Sequence, residues 1–95
     1  TGLIYNPGTY AKTDEIVALA KVAGRHGGMY ASHIRNEGAG LLDAIEEAAA
    51  IGRDAGCRVH VSHIKASGRE VWGKSAEAVG LIEGFRRKGL EITAD

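Results

Sequence analysis

Short β-type runs alternate with helical patterns along this chain at a repeat of about thirty residues, the length of one strand–helix–strand unit. The runs are Gly2–Tyr5 (GLIY), Gly28–His33 (GMYASH), Arg58–His63 (RVHVSH) and Leu90–Asp95 (LEITAD). The first helical pattern covers Asp14 to Arg25, with Thr13 as the expected N-cap and Asp14 and Glu15 at the positive end of the helix dipole. Ile16, Leu19, Ala20 and Ala23 fall on one face. The second covers Leu41 to Ala55, with Leu41, Leu42, Ile45, Ala48, Ala49 and Gly52 inside and Gly56 as its stop. The third covers Lys74 to Lys88. Ala78, Leu81, Ile82 and Phe85 form its stripe, Arg86, Arg87 and Lys88 crowd its last turn, and Gly89 follows.

The order is therefore β-α-β-α-β-α-β, and strands joined through helices run parallel with right-handed crossovers. Two architectures use that repeat, a doubly wound sheet and a (β/α)8 barrel. No glycine-rich phosphate loop follows the first run, where Tyr5-Asn6-Pro7-Gly8 reads as a turn. Even spacing and a helix after every strand favour α/β architecture of the barrel kind, a partial TIM-like (β/α)8 barrel. A closed barrel needs about 250 residues. With 95 residues, starting at Thr1, the expectation is a piece of a longer protein.

Charge and cysteine content remove several classes of function. Lys+Arg and Asp+Glu balance at 12 each, which leaves no basic footprint for nucleic acid. Apolar runs are too short to cross a membrane, and no signal-peptide pattern opens the chain. One cysteine, Cys57, excludes an internal disulfide and an all-cysteine zinc site. A cytoplasmic location fits these features.

The tripeptide Ser-His-Ile occurs twice, in YASHIR and HVSHIK, each time followed by a cation. His33 and His63 each close a strand run, at the carboxyl ends where parallel α/β folds gather their chemistry. Period-two alternation puts Ala31 and His33 on one face of the first of these strands. The same reasoning puts Val59, Val61 and His63 on the mouth side of the second and His60 on the helix side. A single strand-end histidine is ordinarily a hydrogen-bonded cap. Two at matched positions on neighbouring strands are a pair fit to bind Zn²⁺ or a similar divalent ion. Two ligands do not complete a catalytic zinc site, so the others must come from elsewhere. Arg35 and Lys65 each lie two residues past a histidine, as solvated loop charges or as partners for a substrate anion. Glu37 is a candidate partner for Arg35, which would make that arginine structural. Asp95 sits at a strand end suited to a ligand or base. His26 reads as a helix-terminal cation, Cys57 as a packed thiol, and Trp72 as lining a pocket or anchoring its loop.

GLIYNPGTYAKTDEIVALAKVAGRHGGMYASHIRNEG, IGRDAGCRVHVSHIKASG and VWGKSAEAVGLIEGFRRKGLEITAD together resemble the central part of the D-aminoacylases, N-acyl-D-amino-acid deacylases of the amidohydrolase superfamily. The resemblance runs the whole length, and YASHIRNEG paired with VSHIKASG carries it. It implies that residues 1–95 are about strands 4 to 7 of a metal-dependent TIM-like barrel. It implies zinc-dependent hydrolysis of the N-acyl amide of a small-molecule N-acyl-D-amino acid. His33 and His63 would be ligands, from the fifth and sixth strands, for one or two zinc ions. Lys65, with Arg35, would bind the substrate carboxylate. His60 would not be a ligand. The family's His-x-His pair, its metal-ligating cysteine and its late catalytic aspartate have no match here. Cys57 is misplaced for that cysteine, and Asp95 belongs to the seventh strand, not the eighth. No catalytic general base is therefore expected within these residues, and the remainder of the barrel is needed for a complete site. The rivals are a cyclic amidohydrolase of the dihydroorotase or hydantoinase type and a barrel fragment inactive by itself.

Overall fold

The computed structural model describes residues 1–95. Three strands, β1 (Met29–His33), β2 (Arg58–Ser62) and β3 (Ile92–Ala94), alternate with three α-helices, α1 (Thr13–Arg25), α2 (Leu41–Ala55) and α3 (Ser75–Arg87). The strands pair in parallel in the order β1-β2-β3. The register sets Ala31 beside His60 and His33 beside Ser62, then His60 beside Thr93. Sequential order without a reversal is the arrangement of a barrel wall. A doubly wound sheet changes direction and carries helices on both faces.

Burial shows where the helices lie. In β1, Tyr30 and Ser32 are buried, and in β2, Val59 and Val61. Tyr30, Val59 and Val61 join Ile16, Ala20, Ile45, Ala48, Ala49, Ala78, Ile82 and Ile92 in one core cluster. The other sheet face, with Ala31 and Arg58, is open. The molecule is 18 Å through its thinnest direction, one sheet plus one helix layer. Parallel sheets are normally covered on both faces; here the helices cover one face and the other is open.

The helices end as their sequences direct. Gly56 at φ 66 and Gly89 at φ 92 take left-handed conformations past α2 and α3, which glycine adopts without steric cost. Three expectations need correction. The run Gly2–Tyr5 makes only an isolated parallel bridge, Gly2 to His33, because the chain turns at once and the Tyr5 N–H donates back to the Gly2 carbonyl at 3.2 Å. Thr13 is the first residue of α1 rather than its cap; its hydroxyl donates to Glu47 on α2 at 2.7 Å, a tertiary bond in place of the local one. On α1 only Ile16 and Ala20 are buried, and Leu19 stays 62% exposed because no element packs on its flank of the helix.

Candidate metal centre

His33 ends β1 on the open face. Its Nδ1 is buried and has no hydrogen-bond partner. The Tyr5 ring stands edge-on to it at 5.4 Å between centroids, and the His63 ring lies 4.8 Å away. The two repeated histidines therefore meet at the carboxyl-end rim.

His63 reaches that position by an unforeseen route. Val59 and Val61 face the helices, so a continued strand would send His63 there too. Instead β2 ends at Ser62, and His63 adopts φ 57, a left-handed conformation uncommon outside glycine. That turn brings its ring back to His33. The expected orientation of His60 is overturned by the same fact. Its register places it beside Ala31 on the open face, not towards the helices.

Asp95 fastens this arrangement. Its Oδ1 accepts the His63 backbone N–H at 2.5 Å and lies 3.5 Å from His63 Nδ1. Its Oδ2 lies 3.4 Å from His60 Nε2, while His60 Nδ1 is 2.8 Å from the Thr93 hydroxyl. The His63 N–H first, then His60, hold the Asp95 carboxyl below the usual carboxylate range, because each favours the charged form. Asp95 thus stands against His63 Nδ1, the kind of carboxylate–histidine contact that orients an imidazole ring.

The two loop cations part company. Arg35 donates from Nε and Nη2 to the Glu47 carboxylate at 2.8 and 2.9 Å, and from Nη1 and Nη2 to the carbonyls of Thr9 and Ala11 at 2.9 Å each. This fork joins the β1–α2 loop to α2 and to the segment before α1. The Arg35 hydrogen bond lowers the Glu47 pKa, with Thr13 adding to it, and Glu47 raises that of Arg35. Glu37, the expected partner of Arg35, instead accepts from Lys65 Nζ at 2.7 Å. That bond raises the Lys65 pKa. The Lys65 side chain is half exposed, whereas the Glu37 side chain is buried.

The remaining candidates lie away from the rim. Cys57 is a free, partly buried thiol packed against the core. His26 follows the last turn of α1. Trp72 is 71% exposed under the Arg69 guanidinium, and Val71 beside it is buried. Sequence reading missed Tyr5, marked only by its place in GLIYNPG, and named Glu37 but with the wrong partner.

The donor set fits a divalent metal in part. Two imidazoles converge, and one carries a buried nitrogen without a partner, an atom that costs free energy unless something binds it. No group of three or more His, Cys, Asp or Glu side chains gathers with metal-binding geometry. A catalytic zinc ordinarily takes three protein ligands, and the two imidazoles are fewer than that.

No family model matches the chain. It is 41% identical over 95 residues, all of its length, to an N-acyl-D-glutamate deacylase of Alcaligenes xylosoxydans xylosoxydans, and covers 20% of that protein. The crystal structure of N-acyl-D-glutamate deacylase from Bordetella bronchiseptica, complexed with zinc and a phosphonate inhibitor mimicking the tetrahedral intermediate, superposes with a TM-score of 0.93 at 41% identity. That match covers 98% of this chain and 20% of the other. A D-aminoacylase structure concerned with a binuclear metal centre matches with a TM-score of 0.92 at 34% identity, over 98% of this chain and 19% of the other. The chain spans about a fifth of the length of the curated relatives it matches.

Proposed function

We propose that this chain, homologous over its whole length to a segment of the N-acyl-D-amino-acid deacylases of the amidohydrolase family, is about strands 4 to 7 of a barrel that hydrolyses N-acyl-D-amino acids to a D-amino acid and a carboxylate. The observation that carries the reading is the pairing of His33 and His63, 4.8 Å apart, with His33 Nδ1 buried and unpartnered. In this reading both imidazoles hold zinc, one ion or two. When bound there, zinc supplies a Lewis acid for the amide carbonyl and lowers the pKa of water to about 7.

The chain's own residues do the rest. Asp95 fixes the orientation of His63. Lys65 presents an ammonium, kept charged by Glu37, to the substrate carboxylate. Arg35 has its donors committed to Glu47 and two carbonyls, so its part is to hold the β1–α2 loop, and the carboxylate contact falls to Lys65. The general base and the other ligands come from the remainder of the barrel, across the open sheet face. No helix is long and apolar enough to cross a membrane. The reading includes a cytoplasmic location.

Zinc content by elemental analysis of the full-length enzyme and of a His33→Ala/His63→Ala variant tests this. Metal in the first and none in the second is expected. Equal zinc with normal turnover in both would overturn the assignment.

A further inference from the structure

Glu37 is the one buried charged residue of the chain, 7% exposed. It lies on the loop after β1, and its contacts reach the loop after β2. Its Oε2 accepts from Lys65 Nζ at 2.7 Å, and its backbone carbonyl accepts the Ser67 N–H at 2.7 Å. Its Oε1 is buried and has no partner.

A carboxylate withdrawn from water with one oxygen unmatched opposes folding; a neutral side chain of the same shape would not carry that cost. Stability therefore does not account for the acid. The partner it holds does: Lys65 stands two residues beyond His63, with a half-exposed side chain whose ammonium keeps two further donors free. A lysine side chain left loose loses rotamer freedom when it binds an anion, and one already held in place loses less.

We infer that Glu37 is a positioning residue whose buried carboxylate holds the Lys65 ammonium at the rim, ready for the carboxylate of an N-acyl-D-amino acid. This rests on the assignment of Lys65 above. It predicts a defect in substrate affinity, because the Lys65 contact is made alike in ground and transition states.

The test is steady-state kinetics on N-acetyl-D-glutamate with the full-length enzyme as wild type, Glu37→Gln, Lys65→Ala and the double variant, with thermal melting of each. Lys65→Ala raises KM. Glu37→Gln raises KM about five- to tenfold with kcat within about twofold, melts no lower than wild type, and adds nothing once Lys65 is Ala. An unchanged KM in Glu37→Gln beside a raised one in Lys65→Ala overturns the positioning role and leaves Lys65 its assignment. A Glu37→Gln effect of the same size in both backgrounds assigns Glu37 to loop structure and overturns it too. An unchanged KM in Lys65→Ala overturns both.

Discussion

Asp95 holds His63 by two groups at once: its Oδ1 accepts the backbone N–H at 2.5 Å and lies 3.5 Å from the ring Nδ1. The residue so held has φ 57, where a non-glycine backbone needs support from its surroundings. Asp95 comes from the neighbouring strand end, so the pairing of β2 with β3 decides where the ring points.

Removing that support should weaken metal binding. Asp95→Ala is expected to lower zinc affinity about 10- to 100-fold, the usual cost of losing a partner that orients a ligating histidine. Competition against a chelator of known affinity measures it. A variant that holds zinc as tightly as the parent would show that Asp95 only closes the strand end.

Helix α2 lies tight against β2 at Gly52. A Cβ there would fall 2.0 Å from Val59 Cγ2. Glycine to alanine in a helix ordinarily gains about 1 kcal/mol. Here α2 would have to lift off β2, and overpacking of a filled core costs about 1–3 kcal/mol or more. Gly52→Ala should therefore lower the melting temperature. Gly80→Ala in α3, which meets open space, should raise it slightly. Equal shifts in both would remove packing as the reason for glycine at position 52.

The Arg35–Glu47 pair is partly buried and fork-shaped, and Thr13 adds a third bond to the carboxylate. Glu47→Ala leaves Arg35 with its charge unmatched, and a loss of about 2 kcal/mol is expected. The acid side carries a second signature. The Glu47 pKa lies below its ordinary 4.5, so the native state favours the charged form. Its contribution is complete above pH 4.5 and disappears as pH falls through the lowered folded-state value. Denaturant midpoints of wild type and Glu47→Gln should converge in that acid range and separate at pH 7. A constant gap between pH 7 and pH 3 would deny the coupling.

Trp72 is the one tryptophan of the chain and stands mostly in solvent. It is 71% exposed, with only the Arg69 guanidinium 5.9 Å from its ring centroid. Trp72→Ala should change stability by less than about 1 kcal/mol, whereas Val71→Ala, at a 1% exposed position, should cost more than that. Thermal melts of the two variants compare them; a larger loss for Trp72→Ala would mean that the tryptophan anchors the loop after all.

What the sequence determined by itself were the properties that short-range chemistry sets. Apolar spacing and glycine stops bounded α2 at Leu41 and Ala55, and the β-α alternation dictated parallel strands. The doubled Ser-His-Ile marked His33 and His63 thirty residues apart, one strand–helix repeat, and so at the same rim. Tertiary structure decided which way side chains face and whom the charges meet. Alternation along HVSH allows two phases, and only docking of Val59 and Val61 on the helices chose the one that turns His60 to the open face. The left-handed turn at His63 has no local signature, because Asp95, 32 residues away in sequence at the end of the neighbouring strand, holds it there. Arg35 and Glu37 are two residues apart yet pair with Glu47 and Lys65. Loop charges find partners by distance in space, which α2 and the adjacent loop set, and sequence proximity does not encode that distance.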